Sequence, residues 1–466
     1  MSLLDYFLLA AIAATTLWWI FAPTYQRRFL RLAPVALAAI AALQLLLEGF
    51  YWQFIPAYVL IAIFALLSLT NAKFPSRLAG LAARASLAIA ALIVIAPFAL
   101  FLPVPVLPKP SGPYAVGTEI FRWVDEARAE PATPLLDDKR NVIAQTWYPV
   151  GPGAKEKHSV YMDGLKALPA QVSLFPGFML KSFGAVDTHA AEDAAILKDK
   201  PWPVVIFSPG YGAVRAVYSG LAAGLASRGY FVVTLDHPYE SAVTELADGS
   251  IVADANTFPA GGTQAERDDF MASQLNLRSR DISFVIDQFS RPAAIGDLSR
   301  YIDLQHVAVI GHSFGGAAAA LTAAHDPRVA AAANIDGTLY GDVWKEHLTQ
   351  PFLLLDSDHG ESGRSEDNIA HNKELLANLA GPGWAYEIHT ANHFSFTDAP
   401  LFFAPPGRFA LSLVIGGSRG PEETQRAAID ILDAFLSEPL GRERQDINTA
   451  VGRYNGIIGG RTNGPN

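Results

Sequence analysis

The chain contains no cysteine, which excludes disulfides, thiolate zinc sites and a cysteine nucleophile. Charge is also scarce: only 17% of the 466 residues are Asp, Glu, Lys or Arg, and the formal net charge is −10. A pI near 5.6 leaves no basic surplus for phosphate backbones and argues against nucleic acid as a partner. What the chain has in excess is apolar side chains. They make up 51% of its residues, giving a mean hydropathy of +0.22, and they are concentrated in the first hundred.

Four apolar runs stand in series there, about Tyr6–Ala22, Leu32–Leu47, Tyr51–Leu69 and Ala85–Leu102. A helix rises 1.5 Å per residue, so each comes close to crossing a bilayer core of ~30 Å. A cleaved signal peptide would show one run with a small-residue cleavage site. The expectation is therefore an all-α transmembrane bundle of about four helices over residues 1–102. Basic residues cluster after the first run (Arg27, Arg28, Arg31) and after the third (Lys73, Arg77, Arg84), with none between the second and third. The positive-inside rule then places those two loops in the cytoplasm and both termini outside. Trp18, Trp19, Tyr51 and Trp52 at the run ends suit an interfacial belt. The second run is the shortest and holds Gln44; without it the placement of everything downstream reverses.

Residues 103–111 are proline-dense, a stiff linker between the anchor and the rest. From Gly112 to about residue 440, β-rich runs alternate with helical ones, which predicts an α/β fold with a mostly parallel sheet. Expected strands are Val142–Tyr148, Val204–Phe207, Phe231–Leu235, Val307–Ile310, Ala331–Ile335, Phe352–Leu355 and Ala385–His389. Expected helices are Arg215–Ser227, Ala265–Phe289, Phe314–Ala324, Asn368–Leu379 and Glu422–Leu436. The Gly- and Asn-rich tail, 441–466, reads as loosely held.

One junction carries the chemistry. The strand His306–Ile310 runs into Gly311-His312-Ser313-Phe314-Gly315-Gly316, and an alanine-rich helix follows. This is the pattern of a nucleophile elbow, in which a tight strand-to-helix turn exposes a serine and small flanking residues let the two elements approach. Ser313 is the expected nucleophile. The helix start makes the Phe314 N–H one oxyanion donor. The loop Ser208-Pro209-Gly210-Tyr211-Gly212, after an earlier strand, offers the second through Tyr211. Of eleven histidines, His393 follows the last predicted strand, where this fold delivers its base; His389, His312, His237 and His359 are weaker candidates. Asp336 and Asp356 each follow a strand between Ser313 and His393, and either could orient the imidazole.

The chain resembles platelet-activating factor acetylhydrolases and their bacterial relatives. The likeness runs through Ser111–Gly117, Gln145–Pro149, Phe207–Arg215 and Gly311–Gly316 to Asn392–Asp398. The four-helix anchor is not part of that pattern. The resemblance implies an α/β-hydrolase fold, a Ser-Asp-His triad without metal or cofactor, His393 as base and Asp336 as acid. It also implies short or modified acyl esters of phospholipids as substrates. The anchor and its loop charges place the catalytic domain on the extracytoplasmic side, in a bacterial plasma membrane. The apolar stretch Ala167–Phe183 reads as a lid, a lipid-dipping surface or a packed segment. Rival readings are a broad carboxylesterase on soluble or polymeric esters, an inactive sensor or scaffold, and a peptidase or acyltransferase using the same triad.

Overall fold

The computed structural model describes residues 2–21, 32–70, 77–135, 137–153, 159–164, 181–255 and 261–462. It divides into two compact units, 1–105 with 402–410, and 106–401 with 411–466. The division falls between Pro105 and Val106, inside the proline-dense stretch. The return of residues 402–410 to the first unit was not legible in the sequence.

The first unit packs helices α1 (Leu3–Phe21), α2 (Ala33–Leu47), α3 (Ile55–Thr70) and α4 (Arg77–Leu100). Leu8, Ile12, Leu37, Phe54, Leu60, Phe64 and Val94 form its core, yet Phe7, Leu17, Leu46, Leu66, Leu69 and Leu92 face outward. Leucine on the outside and polar groups within is the arrangement an apolar solvent favours. Gln44, the residue that weakened the second run, lies buried. Its amide donates to Asp5 and to the Gly49 carbonyl, both at 3.2 Å, and it accepts from the Tyr58 hydroxyl at 2.7 Å. Among the described residues three helices are long and apolar enough to cross a membrane; α2, at 15 residues, is shorter. The loop residues Arg27, Arg28, Arg31 and Lys73 lie outside the described residues. Residues 402–410 join this unit through the Leu102 N–H, which donates to the Phe402 carbonyl at 2.9 Å.

The second unit is built on strands β1 (Ala115–Ala129), β2 (Lys139–Val150), β3 (Ala190–Glu192), β4 (Trp202–Ser208) and β5 (Phe231–Asp236). A small hairpin follows, β6 (Val243–Glu245) with β7 (Ile251–Ala253). Then come β8 (Ile302–His312), β9 (Val329–Ile335), β10 (Phe352–Ser357), β11 (Gly383–Ile388) and β12 (Ile457–Arg461). Ten of them form one sheet in the order β12-β11-β10-β9-β8-β4-β5-β2-β1-β3. Strands β5, β4, β8, β9, β10 and β11 run parallel, while β2 and β12 pair antiparallel at either side. The parallel strands are apolar runs because helices cover both faces. On one face lie α5 (Gln264–Phe289) and α6 (Phe314–His325), on the other Ser219–Ala226 and Pro421–Ser437. This is the α/β-hydrolase fold.

The loosely held tail is a correction. Ile447 and Ala450 are buried, and β12 hydrogen-bonds to β11 from Trp384↔Arg461 to Ile388↔Ile457. Its glycines read as loop because they carry no side-chain pattern, but an exposed sheet edge needs only backbone to recruit a strand.

Candidate active site

Strand β8 ends at His312 and α6 begins at Phe314, leaving Ser313 alone in the bend with φ 55° and ψ −127°. A positive φ on a residue with a side chain costs of order 1–3 kcal/mol and persists only where its surroundings impose it. Here the Ser313 N–H donates to the Ile335 carbonyl at 2.8 Å, and its own carbonyl accepts from the Gly316 N–H at 2.9 Å. A Cβ on Gly311 would collide with the Gly315 carbonyl, and one on Gly315 with that of Ser208, so both must be glycine for the elements to meet. Ser313 is half-buried, with its side chain at the C-terminal end of the parallel strands.

Asp336 follows β9 and His393 follows β11. His393 Nδ1 lies 2.6 Å from Asp336 Oδ2, so that nitrogen carries the proton facing the carboxylate and Nε2 is the accepting one. The turn His393–Phe396 is fixed by a reciprocal cap, with the Asn392 and Ser395 side chains each accepting from the other's N–H at 3.0 Å. Asp336 Oδ1 accepts from the Ser357 N–H and hydroxyl, both at 2.8 Å, and from Arg364 at 2.6 Å. Burial opposes its ionisation, but the His393 bond and the Arg364 charge outweigh it and hold the carboxyl well below its ordinary range. Asp356 is partnered elsewhere, 3.1 Å from His359 and 3.2 Å from Arg364. Its carboxyl is pushed up, by burial first and by the Asp336 charge. Of the two candidate acids, Asp336 is the one brought to His393.

The other histidines fall into place. His312 is buried, its Nδ1 2.9 Å from the Tyr218 hydroxyl and its Nε2 2.9 Å from the His393 carbonyl. Burial and the neighbouring His393 push it down to about 3, so it is a neutral brace. His389 lies beyond β11, 3.8 Å from Asp358. His237 forms a chain the sequence did not reveal, with Nε2 3.1 Å from the Ser208 hydroxyl and Nδ1 2.8 Å from Asp281. Those three side chains are fully buried.

The loop carrying Tyr211 reaches the elbow: a Cβ on Gly210 would lie 3.3 Å from Ser313 Cβ, and the Gly210 N–H donates to the Tyr218 hydroxyl at 3.0 Å. The Tyr211 and Phe314 rings meet edge to face at 5.7 Å. Among the described residues, one group has the spacing of a metal centre: His312, Asp336 and His393, with donor atoms within 4.8 Å. Both His312 nitrogens are already engaged and Asp336 accepts four hydrogen bonds, so acid–base chemistry suits these residues better than a cation. Of the stretch expected as a lid, residues 167–180 lie outside the described residues; Phe183 packs against Tyr161.

Comparison with known proteins agrees with this architecture. In Arthroderma benhamiae, a probable 1-alkyl-2-acetylglycerophosphocholine esterase is 26% identical over 76% of this chain and 93% of its own length. The platelet-activating factor acetylhydrolase of Bos taurus is 29% identical over 54% of this chain, which spans 60% of that enzyme. A ferulic acid esterase from Streptomyces cinnamoneus superposes with a TM-score of 0.64 at 24% identity, covering 76% of this chain and 99% of its own, a likeness of fold. A family model described as platelet-activating factor acetylhydrolase, isoform II, matches residues 104–258 and 271–455. The chain belongs to that family of carboxylic ester hydrolases.

Proposed function

We propose that the chain is a membrane-anchored serine ester hydrolase that cleaves short or modified acyl groups from phospholipids or similar lipids. The observation that carries this reading is the 2.6 Å bond between His393 and Asp336 beside a serine held at φ 55°. His393 Nε2 removes the Ser313 proton as Oγ attacks the ester carbonyl. The N–H groups of Phe314 and Tyr211 hold the oxyanion. The imidazolium, steadied by Asp336, returns its proton to the leaving alcohol. A water deprotonated by the same imidazole then releases the acyl group from Ser313.

The substrate class is supported by the family and by what the fungal relative is named for. A domain tethered to a bilayer meets lipid esters at high local concentration. Arg27, Arg28, Arg31 and Lys73 between helices, with Arg77 and Arg84 toward the start of α4, support a cytoplasmic position for those two connections and an extracytoplasmic one for the hydrolase unit of a bacterial plasma membrane protein. Two measurements test the whole. Fluorophosphonate labelling of intact and of lysed cells is expected to modify Ser313 in both; labelling only after lysis would reverse the sidedness. Turnover is expected to favour sn-2-acetyl over long-chain phospholipids, and a preference for soluble aryl esters alone would leave a broad carboxylesterase.

A further inference from the structure

Beneath the loop that carries Tyr211 lies a buried guanidinium that the triad does not use. Arg278 projects from the middle of α5 and is 1% exposed. Its Nη1 donates to the Pro209 carbonyl and, at 3.2 Å, to the Ser208 hydroxyl; its Nη2 donates to the Gly210 carbonyl at 3.2 Å. Glu240 balances the charge, with Nε 3.0 Å from Oε2. The guanidinium also lies 4.8 Å from the centroid of the Phe314 ring. It therefore contacts the peptide that carries the Tyr211 N–H and the side chain of Phe314.

A trans peptide points its carbonyl and its N–H in opposite directions, and no cis peptide is present among the described residues. Holding the Gly210 carbonyl against Arg278 thus turns the Tyr211 N–H to the other side of the loop. The preceding peptide is held at both ends, its Pro209 carbonyl by Arg278 and its Gly210 N–H by Tyr218. The Gly210 carbonyl also accepts from the Ala213 N–H at 3.2 Å, which closes the turn. Glycine resists rotation of its flanking peptides less than any other residue, so these bonds set the orientation. Buried ion pairs stabilise little compared with apolar side chains of the same volume. An apolar pair could fill this space, but it could not hold two successive carbonyls to one side.

We propose that Arg278, with Tyr218 on the opposite edge, is a positioning residue that aims the Tyr211 N–H at the oxyanion and braces Phe314. The proposal rests on the serine hydrolase reading, because it gives Arg278 a task only if an oxyanion forms beside Ser313. It makes Arg278 act in the transition state and not in ground-state binding.

The test uses the full chain in detergent with p-nitrophenyl acetate, and kcat, KM and thermal unfolding as readouts. Arg278→Met is expected to lower kcat about 10²-fold while KM changes by less than about threefold. In Arg278→Ala, low millimolar guanidinium is expected to restore part of the lost kcat without moving KM. Should the single variants fail to fold because Glu240 is left charged and alone, Arg278→Met with Glu240→Met removes both charges and is expected to show the same loss. Tyr218→Phe, which frees the other end of the peptide, is expected to lower kcat about tenfold. Wild-type kcat in the folded variants, or a loss carried by KM alone, overturns the proposal. If the wild-type chain itself neither turns over the ester nor takes up a fluorophosphonate, the serine hydrolase reading fails first and separately.

Discussion

The hydrolase unit holds two serine–histidine–aspartate groupings. In one, Ser208, His237 and Asp281 are bonded in series at 3.1 and 2.8 Å, and none meets solvent. In the other, His393 sits 2.6 Å from Asp336 with its side chain 37% exposed, next to a half-buried serine in a strained bend. Residue types and the carboxylate–Nδ1 bond are shared; access and charge are not. Asp281 is held between Arg140 at 2.7 Å and Arg128 at 2.9 Å, so its charge is already spent on two guanidiniums. His237, pushed down by burial and by Arg278, stays neutral. A hydroxyl lifted by the backbone and a partly exposed imidazole are what the proposed reactive set has and the sealed set lacks.

That contrast can be broken by experiment. The largest effect is expected at the serines: Ser313→Ala lowers ester turnover on the order of 10⁶-fold, whereas Ser208→Ala still takes up one fluorophosphonate per folded chain, measured by intact mass. Labelling lost in Ser208→Ala and kept in Ser313→Ala would exchange the two roles. Next come the acids. Asp336→Asn is expected to cut kcat about 10⁴-fold and Asp356→Asn less than about tenfold, and equal losses would mean the two carboxylates act together. In the sealed set the cost should appear as stability. Asp281→Asn leaves buried guanidiniums short of a partner and is expected to destabilise by about 3–5 kcal/mol in urea titration.

The smallest effect concerns Asp398, five residues past His393. Burial raises its carboxyl to about 7, against hydrogen bonds from the Gly220 N–H at 3.2 Å and from Gln425 at 3.2 Å. A carboxyl raised in the folded state favours folding fully below its ordinary value, near 4, and that contribution is lost as pH rises through about 7. Wild type should therefore lose thermal stability relative to Asp398→Asn between pH 5 and pH 8, and parallel curves would remove Asp398 as the cause.

Much of this was legible because the informative elements are buried on both faces. Strands β4, β5, β9, β10 and the second half of β8 are mostly apolar and buried, and the glycines around Ser313 mark a bend that few other folds require. Strand β1 was not legible. It mixes Glu119, Arg122, Asp125 and Glu126 with apolar residues, since much of it lies near the sheet's margin. The choice between Asp336 and Asp356 stayed open because adjacent parallel strands deliver both to one end of the sheet, and only the His393 bond separates them. Arg278 gave no signal at all. A mid-helix arginine reads as solvated surface, and its partners at 208–210 and 240 lie far away in sequence.

Strand β12 has a consequence for how the protein is made. Five residues, Ile457–Arg461, complete a margin whose neighbouring strand ends at Ile388. While a ribosome is still adding residues 389–456, the rim of β11 stands with unsatisfied amides and carbonyls, open to any extended neighbour. The nascent chain is thus open to mispairing along β11 until β12 emerges, after Ser313, Asp336 and His393 have already left the ribosome.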